Sequence, residues 1–259
     1  MSAPDEMIAS TLHPKTATLY SAALEDGDFH SAVDSFTSSL LGRFTPFNEK
    51  MQVNRAFGKV MYEEYGRQQY ANIFDIGAGP MPKAHEWAAA QRYLYIDHNP
   101  AIVEHARKKI HKRDSVIYET GSVRDIPRLF DSGLGMHAFA GERKIAIACN
   151  AVLMFVADEA IRSGFTYLYD WAAPGSVISL TTIAVTAPLN HWRTRMIGAA
   201  CRLIGAPMFL RNANTLGALL APWTIVKGPL PAWQWLGRPA ATRTAGIGFD
   251  LYAMQLTKK

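Results

Sequence analysis

The chain has 259 residues, 49% hydrophobic and 19% charged, with a formal charge of +5 and an isoelectric point near 9.2, enough apolar material for one elaborated α/β domain. No apolar run is free enough of charge and proline to span a bilayer, and MSAPDEMIAS carries acidic residues where a secretory leader has basic ones, so the expected compartment is the cytoplasm. Two cysteines, Cys149 and Cys201, stand in apolar surroundings without metal-ligand spacing, which argues against a disulfide framework or a bound metal.

Residues 1–70 have helical character and many aromatics, among them Tyr20, Phe29, Phe57 and Tyr62, and are predicted as a helical cap. Short β-branched or aromatic runs then alternate with longer mixed segments, the pattern of βαβ units in a parallel sheet. Strands are predicted at 72–76, 92–96, 115–119, 144–150 and 176–183, and helices at 83–90, 101–112, 123–131 and 158–171, one of them opened by Pro100. A substrate-side insertion, 187–222, mixes Met, Leu and Ile with Arg193, Arg195, Arg202 and Arg211. The runs WTIVKG and GFDLYAMQL supply two closing strands, completing a domain over 71–259.

The positive charge raises the question of a nucleic-acid partner. Much of the excess lies in HARKKIHKR (105–113), which reads as a solvated helix face whose cations suit the helix dipole, so the distribution argues against one.

FDIGAGP ends the first predicted strand with Asp75, Gly77, Ala78 and Gly79, where a turn must bring backbone close to a ligand and side chains would obstruct it. About twenty residues on, YIDHNP ends the second strand with Asp97 and His98, the place where α/β nucleotide sites put a carboxylate for ribose hydroxyls. Asn99 is better placed than Asp97 to cap the next helix, which leaves Asp97 for the sugar. A dinucleotide fingerprint needs a third glycine where Pro82 stands. S-adenosylmethionine has no phosphate and needs only the first glycines and the ribose carboxylate.

The third strand ends in ETGSVRD, placing Ser122 and Val123 where methyltransferases meet the adenine amine and ring edge; Ser122 also reads as a helix cap. The fourth ends in CNAVLMF, with Asn150 and Ala151 toward the methionine half of such a cofactor and Met154 or Phe155 toward adenine or substrate; the last two equally suit core packing.

NRAF (54–57), DIGAGP (75–80), YIDHNP (95–100), GSVRD (121–125) and APGS (173–176) together resemble the S-adenosyl methyltransferase family formerly called domain of unknown function 574. The resemblance covers most of the chain. It implies a Rossmann-like class I methyltransferase: an α/β fold with a mostly parallel seven-stranded sheet, an antiparallel C-terminal strand and a helical N-terminal cap. S-adenosyl-L-methionine is the implied cofactor, and a small, hydrophobic specialised metabolite the expected methyl acceptor. Two departures stand out: Ser122 replaces the family's usual Asp, leaving a hydroxyl, a backbone carbonyl or Asp125 for the adenine amine, and Leu153-Met154 replaces a frequent Leu-His.

Methyl transfer is an in-line displacement, so alignment and water exclusion come first and a base serves only an acceptor that still holds its proton. His191, in NHWRTR after the fifth strand, is the first candidate base, and His30 in the cap the second. Arg55 and Tyr20 are candidates to reach the cofactor carboxylate or the acceptor. Three other readings stay open. A nucleic-acid methyltransferase would fit the charge, but CNAVL lacks the Asn/Asp-Pro-Pro-aromatic signature. A protein that binds the cofactor without methyl transfer would fit the loss of the histidine at Met154. A short-chain oxidoreductase needs a Tyr–Lys pair that Tyr167 and Tyr169 do not form.

Overall fold

The computed structural model describes residues 47–110, 114–203, 208–239 and 248–259. Helix α1 (Phe47–Arg67) precedes β1 (Asn72–Ile76), α2 (Ala84–Trp87), β2 (Arg92–Asp97), α3 (Pro100–Lys109) and β3 (Val116–Thr120). A 3-10 turn then leads into α4 (Ile126–Asp131), α5 (Leu134–Ala138) and β4 (Ala146–Asn150). The chain continues through α6 (Asp158–Trp171), β5 (Val177–Ala184), α7 (Trp192–Leu203), α8 (Leu216–Leu219), β6 (Thr224–Pro231), α9 (Ala232–Trp235) and β7 (Asp250–Thr257).

The strands form one seven-stranded sheet in the order β3-β2-β1-β4-β5-β7-β6. The first five run parallel, and β7 lies antiparallel between β5 and β6. β1 and β5 are buried along their whole length, as inner strands of a sheet covered on both faces should be, and the few polar side chains they carry are buried with them. One face packs Phe74, Leu94, Ile147 and Ile178 against Phe130, Ile161 and Phe165. The other packs Ile73, Tyr93, Tyr95, Ala146 and Ala148 against Phe57, Met61 and Tyr65 of α1. The small Ala146 and Ala148 leave room there for large aromatic rings, and the Tyr65 hydroxyl donates to the carbonyl of Ile147 at 2.9 Å. The described part of the predicted cap is thus a layer of the sheet's own sandwich.

Local chemistry sets the boundaries. Asn99 caps α3 by accepting from the Ala101 amide at 3.0 Å, with Pro100 in the first turn. The helix predicted over 83–90 spans only Ala84–Trp87, because the Tyr93 hydroxyl donates to Ala88 O at 2.6 Å and accepts from Ala90 N at 3.0 Å, tying that segment off as extended chain. The predicted 123–131 helix opens instead with the 3-10 turn Val123–Asp125, and α5 was not expected. β6 runs past its predicted end to Pro231, with two register shifts against β7.

The insertion is sewn to the sheet's carboxyl edge. Val185 pairs with Asn212, and Phe209 N donates to Met154 O at 2.8 Å. Arg211, 6% exposed, donates to Leu153 O at 2.7 Å and to Val156 O at 2.5 Å, and pairs with Asp158 at 2.7 Å. One buried guanidinium thereby fixes the turn after β4.

Candidate cofactor site at the carboxyl ends of the strands

Parallel pairing of β1 with β2 and β4, and of β2 with β3, sets the ends carrying Asp75, Asp97, Thr120 and Asn150 side by side. Gly77 and Gly79 take φ of +71° and +72°, a conformation costly for residues with a side chain. Their surroundings differ. A Cβ on Gly77 would sit 2.3 Å from Val152 Cγ2, whereas one on Gly79 would meet nothing within 4 Å. Gly77 is therefore required by packing against the β4 turn, and Gly79 leaves an open approach to backbone.

Other side chains hold that turn. The amides of Gly77 and Ala78 both donate to Ile96 O, at 2.8 and 3.1 Å, and Tyr118 OH donates to Gly79 O at 2.7 Å. The amide of Gly79 donates to Asp97 Oδ2 at 3.2 Å. Asp97, 5% exposed, also accepts from Asn99 N at 3.1 Å and lies 3.3 Å from His98 Nδ1. The turn's amides are engaged internally, and Pro80 and Pro82 separate it from α2. This arrangement lacks the free helix N-terminus that binds pyrophosphate.

Asp75 is also buried and accepts from Tyr62 OH of α1 at 2.7 Å. Burial, reinforced by the Asp97 charge and opposed by the Tyr62 hydrogen bond, pushes its carboxyl up to about 7. On the next strand tip, Asn150 Oδ1 is buried without a hydrogen-bond partner, and Gly58 of α1 lies against its amide nitrogen. Ala151 follows at φ +57°, its amide donating to Thr181 O at 2.9 Å and to Thr181 Oγ1 at 3.0 Å, while Thr181 Oγ1 donates to Asn54 Oδ1. A non-glycine residue held in this region is a form of strain that collects at functional sites.

Ser122 N and Oγ both donate to Asp125 Oδ2, at 2.9 and 2.7 Å, so the Asp125 carboxylate reaches back to Ser122, the residue that opens the 3-10 turn. Burial raises the Asp125 carboxyl, but the Ser122 hydrogen bonds and Arg128 outweigh it and leave a net lowering. Val123 has no exposed surface and packs behind Ser122 against Gly164. Arg55 is half-buried with its guanidinium 5.3 Å from the Trp87 ring centre. His191 stands apart on the insertion, its Nδ1 accepting from Arg193 N at 3.2 Å and its ring stacked on Trp192. His30 and Tyr20 lie outside the described residues. Met154 is buried, and Phe155 partly so.

Among the described residues no acidic, histidine or cysteine cluster could hold a metal ion, and no helix is long and apolar enough to cross a membrane. Cys149 is buried in the sheet, and that burial pushes its thiol up.

Sequence reasoning missed Tyr62, Tyr118, Thr181 and Arg211. The threonine pair in VISLTTIA, polar at the end of an apolar strand, was a usable signal; for the others, only three-dimensional placement distinguishes them.

A sheet in this order, with an antiparallel seventh strand and paired carboxylate and glycine tips, defines the class I methyltransferase architecture. The chain belongs to the S-adenosyl methyltransferase family, whose model matches residues 3–250. It is similar over 100% of both chains to a candidate methyltransferase from Thermobifida fusca, at TM-score 0.77 and 18% identity. It is similar, too, to a domain of unknown function 574 protein from Streptomyces avermitilis, at TM-score 0.74 and 19% identity over 94% of this chain and 97% of that one. Geranyl diphosphate C-methyltransferase from Streptomyces coelicolor, solved with S-adenosyl-L-homocysteine, aligns at TM-score 0.56 and 12% identity over 79% of each chain. No curated protein sequence matches. The protein is an S-adenosylmethionine-dependent methyltransferase. The unsatisfied Asn150 Oδ1, the open side of Gly79 and two buried carboxylates suit a ligand that carries an ammonium group and a ribose but no phosphate.

Proposed function

We propose that the enzyme methylates a small, predominantly apolar metabolite in the cytoplasm, as part of specialised metabolism. The observation that carries this reading is partly open apolar surface on the strand tips and on the segments that follow the fifth strand. Ala78, Ala151 and Phe155 of the tips, and Met208, Leu210 and Phe249, are partly buried side chains packed against the same core. Such side chains offer an acceptor dispersion contacts and help exclude water from the reacting atoms.

The proposed division of labour follows the strand tips. The cofactor supplies an electrophilic methyl group when bound. Asp97 would accept from the ribose hydroxyls, helped by His98 beside it; Gly77, Ala78 and Gly79 would line the approach with bare backbone. Asn150 Oδ1 and Asp75 would accept from the cofactor's ammonium, Ala151 would hold the turn at that end, and Arg55 would meet its carboxylate. Ser122 and Asp125 would face the adenine amine, with Val123 as the wall behind them.

His191 is the proposed acceptor-side base. An imidazole whose Nδ1 accepts from an amide carries its proton on Nε2, so the role demands that the Arg193 amide bond be released. The test is turnover, read as S-adenosylhomocysteine formed with a panel of apolar alcohols, amines and phenols, for the parent and His191→Gln. Product with an apolar acceptor supports the reading; product only with RNA or DNA overturns it. Unchanged turnover in His191→Gln removes that residue from the chemistry.

A further inference from the structure

From Trp171 to Phe249 the chain contains no Asp or Glu and seven basic residues: Arg193, Arg195, Arg202, Arg211, Lys227, Arg238 and Arg243. The rest of the chain therefore carries a formal charge of −2, so this stretch is strongly basic relative to the remainder. Within it, α7 and its flanks expose large apolar side chains: Trp192 is 62% exposed, Met196 56%, Leu189 49% and Phe209 44%.

The two properties share one surface. Thr194 is buried, and a Cβ on Gly198 would touch Leu210 Cδ1 at 3.8 Å, so these two positions, one turn apart, mark the inner side of α7. At about 100° per residue, Trp192 and Met196 fall on the opposite side. Arg193 lies on one flank of that pair and Arg195 and Arg202 on the other, all three exposed. The result is an apolar ridge bordered by guanidinium groups.

We propose that this face of α7 docks on an anionic lipid bilayer. Trp192 and Met196 would enter the interface between headgroups and acyl chains, and the arginines would pair with lipid phosphates. Charge complementarity selects this occupant. A second copy would set three arginines against three more, and a nucleic-acid strand would satisfy the arginines while leaving Trp192 and Met196 against its phosphates. The hydrogen bond from Phe209 N to Met154 O, at 2.8 Å, ties the segment that α7 packs on to the turn after β4, which leaves the ridge facing outward. Docking does not depend on the identity of the acceptor, and its test uses no acceptor.

The full-length protein is floated with phosphatidylcholine vesicles, with and without about 30% phosphatidylglycerol, at about 0.1 M salt, where a surface potential reaches about 10 Å. Binding confined to the anionic vesicles, with a blue shift of tryptophan emission, is expected. Arg193→Gln and Arg195→Gln should each weaken it about fivefold, and Trp192→Ser with Met196→Ser should abolish the blue shift. Unchanged affinity for S-adenosylmethionine by calorimetry shows that each variant is folded. Several outcomes overturn the proposal: no vesicle binding, equal binding to both vesicle types, undiminished binding by the arginine variants, a dimer that dissociates in Trp192→Ser, or retention by RNA that Trp192→Ser leaves unchanged.

Discussion

Replacing Asp75 with Asn separates what this carboxyl costs the fold from what it does for the cofactor. A group carried from its ordinary 3.8 to about 7 has its charged form destabilised by about 4 kcal/mol, at about 1.4 kcal/mol per tenfold change in proton affinity. The unfolded chain releases this proton near pH 4, while the native protein keeps it until about 7. Between those values the native state binds more protons, so stability falls as pH rises and levels off above 7. Asparagine stays neutral and still accepts from the Tyr62 hydroxyl. Its advantage over the parent should therefore grow by about 4 kcal/mol between pH 4 and pH 8. Urea unfolding followed by tryptophan fluorescence, without cofactor, measures both curves; titrating groups that do not interact with Asp75 cancel in their difference. A difference that stays flat across this range would refute the burial argument for Asp75.

The same carboxyl should make cofactor binding tighten as pH rises toward 7, since an ammonium ligand selects its charged form, and calorimetry in two buffers should show protons released on binding; uptake would count against the contact. Gly79→Ala should cost the fold only about 1 kcal/mol for its positive φ yet weaken cofactor binding at least tenfold, whereas Gly77→Ala should lower the melting temperature sharply, because its Cβ meets Val152 at 2.3 Å. Asp97→Asn should weaken the cofactor tenfold to a hundredfold, the scale of a hydrogen bond to a charged group, measured by the same titration. Ala151→Gly should relieve about 1 kcal/mol of strain and raise the melting temperature by about 2–4 °C; a fall in calorimetry would show that the methyl group packs usefully.

The sheet was legible because its signals are local. β-Branched runs, the glycine turn and the Asn99-Pro100 start each act within a few residues, and the strand-tip positions of Asp75, Asp97, Ser122 and Asn150 follow from them. The early end of the 83–90 helix was not legible, since it depends on the hydroxyl of Tyr93 in the following strand. Nor was the depth of Asp75: its perturbation comes first from burial, with the Asp97 charge adding to it and the Tyr62 hydrogen bond opposing it, and only folding brings these about. The positive charge has two centres, and only one is easy to read. The run at 105–113 shows by its density, whereas the excess after the fifth strand arises from acidic residues missing over a long stretch.

The placement of α1 bears on how this enzyme could be recombined with its relatives. Tyr65 reaches a β4 carbonyl, Tyr62 holds the first strand-tip carboxyl and Asn54 accepts from Thr181 of β5. A chimera joined near residue 70 would import a helix whose polar groups were matched to another protein's strands. Such a hybrid should be stable only when the side-chain partners at 75 and 181 are exchanged with it, which makes α1 and the sheet a single heritable unit.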